Sequence, residues 1–336
     1  MSLIDYALKG NLKHFDEKLN AVSKNTGISK TILYAKFIRC FLMIGSGYSD
    51  FLNYKLYSRT DDEIKEYVTI KTQDYFYEIV SPSEYKKTFT VKINFLNKFK
   101  KYINRDFFYK GSFEEFKQIM SKHDKLIYKP VSSLGGDRVH TIYPREIQDL
   151  QAYYNEIIDN DILLEEYVIQ HPEIAKFAPN SVNTLRIMTF AYNGESSIIC
   201  SMLRIGNGKA DVDNFHQGGM GVLIDTETGV VISDKAINKD GELFEKHPIT
   251  NVKFKGFQIP NWEKVKKMCL EAALVDEHIH CVGFDVAVTK EDCTFIEGNR
   301  RPGYDLPQEL YDRGRKDMMR YCLDTINAKE GTNYKV

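Results

Sequence analysis

The first 85 residues show almost none of the period-two alternation between polar and apolar positions that marks β-strands. Residues 60–63 read Thr-Asp-Asp-Glu, a capping box in which the threonine and the glutamate satisfy each other's backbone N–H groups at the start of a helix. This texture predicts a mostly helical N-terminal region over residues 1–88. Residues 97–105, a basic segment, are interpreted as a further helix with a solvated face.

Beyond Tyr109 the pattern changes to short β-like runs that alternate with helical ones. A second capping box, Ser112 to Glu115, begins a helix. Strands are predicted at residues 125–130, 138–143 and 161–167, with a helix at 146–158. Strands are next predicted at 183–192, 196–205, 221–225 and 230–234, then a helix at 261–278 and two strands at 281–289 and 293–299. The chain is therefore predicted to be α+β, with one largely antiparallel sheet in its second half.

Charge and composition exclude several classes of protein. Lys plus Arg number 46 against 47 Asp plus Glu, so no overall field attracts nucleic acid. No stretch approaches the roughly 20 apolar residues that span a bilayer, and the N-terminus lacks a signal-peptide core. The six cysteines have no metal or disulfide spacing and are interpreted as reduced core thiols. We expect a cytoplasmic protein with no transmembrane segment and no nucleic-acid partner.

The predicted C-terminal hairpin carries three oxygen donors, Asp285, Glu297 and Asn299. Glu297 and Asn299 are two residues apart and project from one face of their strand. If residues 290–292 form the loop, Asp285 lies opposite Glu297. The other face would then pair Val286 with Ile296 and Val288 with Thr294.

Crowded carboxylates raise one another's pKa, and a hard divalent cation such as Mg²⁺ relieves that cost. The hairpin is therefore a candidate magnesium site. An acid pair satisfied by water or by Arg300 is an equally good interpretation of this pattern alone.

Two more segments carry chemistry. Lys129 ends a predicted strand and precedes the small-residue loop 132–137, whose backbone N–H groups suit phosphate; a plain hairpin turn is the simpler alternative. The strand around Glu165 and Glu166 carries two acids in an apolar setting, followed by Glu173, which suits an adenine or ribose contact or a solvated edge.

In this order, the KP…GG loop, EEYV with a later Glu, the D…E-x-N set and N-R-R-P-G resemble the ATP-grasp superfamily over roughly residues 90–325. SVNTLRIMTF and DNFHQGGMGVLID resemble its sugar-transfer-associated branch, which is related to α-L-glutamate ligases. The resemblance implies two α+β subdomains that sandwich ATP, expected at residues 89–170 and 171–330.

The resemblance also implies roles for individual residues. Those implied for phosphate and nucleotide binding are Lys129, Lys98 (with Lys100 or Lys101 as alternatives), Ser132, Gly135, Gly136, Glu165, Glu166, Val168 and Glu173. Two Mg²⁺ ions, replaceable by Mn²⁺, are implied at Asp285, Glu297 and Asn299. Arg204, Lys129 and Arg186 are the implied catalytic residues.

The implied activity is an ATP-dependent carboxylate-amine ligase that forms an amide through an acyl phosphate, in bacterial capsular polysaccharide synthesis. Its partners would be an amine and a small carboxylate such as a uronic acid or a sugar-linked acid. A phosphotransferase acting on a sugar or polyol hydroxyl is the alternative, and a non-catalytic nucleotide-binding partner is a third. His216 is either a substrate contact or an ordinary loop histidine.

Overall fold

A computed structural model of the chain describes residues 12–131, 138–208 and 218–336. The α-helices are α1 (Leu12–Thr26), α2 (Lys30–Ile44), α3 (Tyr48–Asn53), α4 (Asp61–Lys65), α5 (Ile70–Val80), α6 (Lys87–Thr90), α7 (Lys92–Lys98), α8 (Phe113–Lys122), α9 (Leu150–Asp159), α10 (Pro172–Ala175), α11 (Trp262–Ala273), α12 (Asp305–Tyr311) and α13 (Lys316–Glu330). Short 3₁₀ turns occur at Leu56–Ser58, Ser83–Tyr85, Lys100–Tyr102 and Pro144–Glu146.

The strands are β1 (Phe107–Phe108), β2 (Leu126–Pro130), β3 (His140–Ile142), β4 (Ile162–Glu166), β5 (Leu185–Tyr192), β6 (Glu195–Ile205), β7 (Met220–Ile224), β8 (Ala236–Asn238), β9 (Leu243–Phe244), β10 (Cys281–Val288) and β11 (Cys293–Asn299). The mixed helix-and-sheet class predicted from the sequence is confirmed, and so is the helical character of the N-terminal region.

The chain divides into two compact units. One joins residues 1–80 with residues 303–336, and the other is Ser81–Pro302. The sequence-based boundaries differ, because they assigned residues 303–330 to the second subdomain. Within the helical unit the C-terminal segment packs on residues 66–68. The Gln308 side chain bonds both backbone groups of Val68, accepting from its N–H at 2.6 Å and donating to its carbonyl at 3.1 Å.

The helical unit is organised by aromatic packing and by caps. The ring of Phe15 lies 4.7 Å from that of Phe37 in a fully buried cluster that also includes Phe51. At the start of α4, Thr60 N–H donates to Glu63 at 2.7 Å and Glu63 N–H donates to the Thr60 hydroxyl at 3.3 Å. The capping box predicted from the sequence is therefore present.

The partly buried Glu309 on α12 is expected to make the free energy of unfolding depend on pH. Its Oε2 is buried and has no hydrogen-bond partner among the described residues. Burial, and then the Asp305 carboxylate, raise the pKa of Glu309 to about 7. The folded state therefore binds more protons than the unfolded state, and stability falls as pH rises from about 4.5 through 7.

We expect Glu309→Gln to raise the free energy of unfolding by about 1 kcal/mol at pH 8, where the carboxylate is charged. The gain should disappear at pH 4. Urea unfolding at the two pH values checks this, and an equal change at both would contradict it.

The second unit contains two sheets. A four-stranded sheet has the order β1-β4-β2-β3, and a seven-stranded sheet has the order β11-β10-β5-β6-β7-β8-β9. Each strand pair in the described residues is antiparallel, which confirms the predicted sheet type. Helix α11 covers the larger sheet through a buried face that includes Val265, Met268 and Cys269.

Two element predictions were wrong. The helix expected at residues 97–105 ends at Lys98, because Phe99 leaves the helical conformation and a 3₁₀ turn follows. Residues 230–234 do not form a continuous strand. Val230 and Val231 make isolated β-bridges to different partners, Gln258 and Ile224.

All six cysteines are buried and free of disulfides, as the sequence predicted. No helix among the described residues has both the length and the apolar character of a membrane span.

Candidate active site

The hairpin of β10 and β11 brings Asp285 opposite Glu297, as predicted. The remaining register was wrong: Val286 pairs with Phe295 and Val288 pairs with Cys293. The turn is one residue shorter than expected, since Thr289 N–H donates to the carbonyl of Asp292 at 2.9 Å, which leaves Lys290 and Glu291 between these paired residues. A bulge between Asp285 and Val286 then restores the predicted partner of Asp285.

Gly298 lies between Glu297 and Asn299 on β11, and its own position is against Phe95 of α7. A methyl group at Gly298 would lie 2.4 Å from Cε2 of Phe95, so only glycine fits against α7 there. Glu297 and Asn299 project away from this contact. The Asn299 side-chain oxygen accepts from the backbone N–H of Arg301 at 2.9 Å.

Both predicted arginines meet the buried Asp285. Arg186 on β5 donates through Nη2 to Asp285 Oδ2 at 3.0 Å, and Arg204 on β6 lies 3.0 Å from the same oxygen. The Thr184 hydroxyl accepts from Arg204 Nε at 3.2 Å and from its Nη2 at 3.0 Å, which orients the guanidinium. Three predicted site residues from three neighbouring strands of one sheet are thus together.

The surroundings of the Asp285 and Glu297 carboxyl groups shift their pKa values in opposite directions. Burial works against ionisation of Asp285, but Arg186 and Arg204 outweigh it and lower the pKa of Asp285. Desolvation, and then the Asp285 carboxylate, raise the pKa of Glu297 to about 7. Glu297 lines an open cavity, so its carboxyl group is accessible to a cation.

This donor set fits a divalent ion. Two carboxyl groups on paired residues, one of them held toward the protonated form by its neighbour, are stabilised by a hard cation that takes oxygen ligands. Asn299 supplies a third oxygen from the same strand face. Glu297 has the most accessible oxygens, because both oxygens of Asp285 already contact arginines.

Lys129 lies in the same region, at the end of β2. Its ammonium group forms an ion pair with Glu165, which also pairs with Arg105. Glu165 is only 2% exposed. Burial alone would raise the pKa of Glu165, but the charges of Arg105 and Lys129 lower it to about 2. Glu165 is therefore a buried counter-ion, and its predicted contact with adenine through the side chain is not what this geometry favours.

Arg105 is a residue that sequence reasoning missed. Its guanidinium also donates to the backbone carbonyls of Phe295 and Ile296, next to Glu297. Arg105 thus links β4, the strand that carries the partner of Lys129, to β11 of the hairpin. The signal in the sequence was an arginine two residues before the apolar pair Phe107-Phe108.

Lys92 is the second lysine that lines the cavity, whereas the predicted Lys98 is not among its lining residues. Lys92 Nζ donates to the carbonyls of Pro130 and Val131 at 3.2 and 3.4 Å, immediately before the loop predicted to bind phosphate. Burial lowers the pKa of Lys92, an effect that Glu297 partly offsets. Lys98, one and a half turns later on α7, instead pairs with Asp276 at 2.9 Å.

Lys100 and Lys101, the other candidates, are also outside this cavity. Lys100 is exposed in the 3₁₀ turn, and Lys101 pairs with Glu271 at 3.0 Å.

The cavity encloses about 420 Å³ of empty space, part of it open to solvent. Its lining residues are Phe89, Lys92, Phe95, Leu96, Lys129, Leu163, Glu165, Ile296, Glu297 and Gly298. Two lysines and two carboxyl groups, Glu165 and Glu297, therefore line one cavity together with apolar side chains, an arrangement that suits a metal-bound polyphosphate.

The other described residues predicted to contact the nucleotide are not among those that line the cavity. Val168 is buried just beyond β4, and Glu166 is half-buried at the end of that strand. Glu173 is exposed and pairs with Lys176 at 2.6 Å, so it is not among the residues that line the cavity. Ser132, Gly135 and Gly136 lie outside the described residues, as does His216.

Nucleotide affinity should distinguish Lys92 from Lys98. We expect Lys92→Met to weaken binding of a non-hydrolysable ATP analogue about 10- to 100-fold, because it removes a charge-assisted contact worth about 1.5–3 kcal/mol. Lys98→Met is the matched control, from the same helix, and should change the affinity less than about threefold, because its partner Asp276 is outside the cavity. Calorimetric titration measures both, and equal losses would contradict the assignment.

The model of the sugar-transfer-associated ATP-grasp family matches residues 100–320, more than half of the chain. The chain belongs to this family. The match confirms the superfamily and the branch that the sequence resembled. No curated protein matches this chain.

Solved structures similar to this ATP-grasp chain include three ligases. The ATP-grasp ligase PsnB, in complex with Mg and ADP, has 13% identity and a TM-score of 0.43, with 74% of this chain and 62% of that chain covered. D-cycloserine synthetase DcsG has 8% identity and a TM-score of 0.39, covering 71% and 70%. D-alanine–D-alanine ligase from Bacillus anthracis has 11% identity and a TM-score of 0.40, covering 72% and 69%. The chain thus spans about three fifths of the length of PsnB.

Proposed function

We propose that this ATP-grasp protein is an ATP-dependent carboxylate-amine ligase that forms an amide through an acyl phosphate. The observation that supports it most is the convergence of Lys92, Lys129 and Glu297 on one cavity, with Arg204 and Arg186 beside the metal hairpin. These are the groups needed to hold a triphosphate and to neutralise charge during phosphoryl transfer.

The chain's own residues would act as follows. Lys92 and Lys129 bind phosphate oxygens as point charges. Asp285, Glu297 and Asn299 hold Mg²⁺, two ions in the expected case. When bound, Mg²⁺ neutralises charge on the β and γ phosphates.

Arg204 lies on the strand next to Arg186 and is oriented by Thr184. It would stabilise the transferring phosphoryl group and then the tetrahedral oxyanion. In the first step a carboxylate oxygen of the substrate bonds to the γ phosphorus and ADP leaves. In the second, the amine bonds to the acyl carbon, phosphate leaves, and the amine releases a proton. The loop 132–137 is proposed to exclude water from the acyl phosphate.

The nucleotide is proposed to contact the segment at the end of β4, with Glu166 and Val168 near the adenine and Glu173 near the ribose. The ion pair between Glu173 and Lys176 is exposed, so a ribose hydroxyl can compete for that carboxylate at little cost. Mn²⁺ is expected to replace Mg²⁺, because both accept oxygen ligands.

We propose that the acid is a uronic acid or another sugar-linked carboxylate, in bacterial capsular polysaccharide synthesis, in the cytoplasm. The association of the family with sugar transfer supports this choice.

Trapping with hydroxylamine tests the reaction class. Full-length protein is incubated with ATP, Mg²⁺, hydroxylamine and a panel of uronic acids. A ligase yields a hydroxamate together with ADP only when the correct acid is present. A stable phosphate ester with no hydroxamate would overturn the ligase in favour of the phosphotransferase alternative. Absence of ADP release with every acid and amine would favour a non-catalytic nucleotide-binding role.

A further inference from the structure

A second cluster of ligand-type side chains lies at the edge of the four-stranded sheet, and it is separate from the residues that line the cavity. Its members are Asp106, His123 and Glu166. Asp106 directly precedes β1, Glu166 ends β4, and antiparallel pairing of these strands brings the two acids side by side. His123 ends α8.

Backbone hydrogen bonds fix the two acids relative to each other. Glu166 N–H donates to the carbonyl of Asp106 at 2.9 Å, and Asp106 N–H donates to Glu166 Oε2 at 2.9 Å. The second bond occupies one carboxylate oxygen and leaves Glu166 Oε1 directed toward the histidine. The site is therefore held by a strand pair and does not depend on flexible side chains alone.

His123 lies between the two carboxylates. Its Nε2 is 2.7 Å from Asp106 Oδ2, and its Nδ1 is 3.9 Å from Glu166 Oε1. One ligand atom from each residue lies within 4.8 Å of the others. The imidazole is only 12% exposed. The imidazole therefore has one carboxylate within hydrogen-bonding distance of Nε2 and a second carboxylate close to Nδ1, so ligand atoms of three residues converge at the ring.

The local charge also suits a cation. Two carboxylates are offset by Lys122, whose Nζ is 2.5 Å from Asp106 Oδ2 and whose side chain is 65% exposed. Because the Lys122 side chain is largely exposed, displacing its ammonium group from Asp106 costs little free energy.

We propose that Asp106, His123 and Glu166 form a binding site for a divalent transition metal of the Zn²⁺ and Co²⁺ class. An imidazole nitrogen combined with carboxylate oxygens favours these ions over Mg²⁺, for which the oxygen-only set at Asp285, Glu297 and Asn299 is suited. Bound metal would join α8, the segment before β1 and the end of β4. The proposal stands whether or not the protein is a ligase.

Cobalt binding tests the site directly. Metal-free full-length protein is titrated with Co²⁺ in excess Mg²⁺, followed by visible absorption and calorimetry. We expect one Co²⁺ equivalent with a nitrogen-containing coordination spectrum. His123→Ala should abolish it, and Asp106→Asn should weaken it about 10- to 100-fold. Lys122→Ala should tighten it several-fold, because a competing positive charge is removed. His278→Ala, an exposed histidine elsewhere in the same unit, is the matched control and should bind like the wild type.

Circular dichroism establishes that each variant is folded. If His123→Ala does not fold, the opposite shifts expected for Asp106→Asn and Lys122→Ala decide the question. Absence of cobalt binding to the wild type, or equal affinities for the wild type and the folded variants, would overturn the proposal.

Discussion

Glu297→Gln is expected to leave the protein folded and to remove the magnesium dependence of nucleotide binding. The wild type should bind an ATP analogue more tightly as Mg²⁺ is added, whereas the variant should not. Any ATP turnover should fall about 10²- to 10³-fold, the usual effect of removing one electrostatic contact in a transition state. Stability should stay the same or rise, because the charge repulsion that raises the pKa of Glu297 is gone.

Glu291→Gln is the matched control, since Glu291 belongs to the same hairpin and is 86% exposed in its loop. It should retain the magnesium effect in full. Calorimetric titrations at several Mg²⁺ concentrations, together with ADP release, make the comparison. A Glu297→Gln protein that still responds to Mg²⁺ like the wild type would show that the hairpin does not hold the ion.

Glu165→Gln should destabilise the second unit by about 3–5 kcal/mol at pH 7, because Arg105 and Lys129 lose their shared buried counter-ion. The pKa of Glu165 is about 2 when folded and its ordinary value is 4.5. Between these values the unfolded state binds more protons, so stability is lost as pH falls. The difference between wild type and variant should therefore narrow from pH 4.5 toward pH 2.

Urea unfolding of the nucleotide-free protein measures this loss. Glu114→Gln serves as control, because Glu114 forms an exposed pair with Lys117 and should contribute less than about 1 kcal/mol. If the two substitutions lower the free energy of unfolding by the same amount, the buried ion pairs of Glu165 do not stabilise the fold as proposed.

Sequence patterns predicted the hairpin of β10 and β11 better than they predicted which lysines line the cavity. The predicted pairing of Asp285 with Glu297 was correct although the turn was one residue shorter than assumed, because the bulge cancelled that difference. Sequence patterns do not show bulges, so the pairs on the other face were missed. Lys92 was missed in favour of Lys98 because both lie on α7, and only its packing decides which one reaches the cavity.

Glu165 shows a different kind of limit. Two adjacent acids on a strand end suggest nucleotide contacts, and the pattern does not tell which acid turns inward. The partner that decides it, Arg105, is 60 residues away in sequence and is brought to Glu165 by the pairing of β1 with β4. Long-range charge pairs of this type leave no periodicity to detect.

The amino-acid order alone determined the helical front, the antiparallel sheets and the family, because periodicity, caps and short motifs are local properties of the chain. Tertiary structure decided which cations surround the cavity, which acid is a buried counter-ion, and that Asp106, His123 and Glu166 meet. These depend on distances between side chains on separate elements, and such distances are set by packing and sheet register.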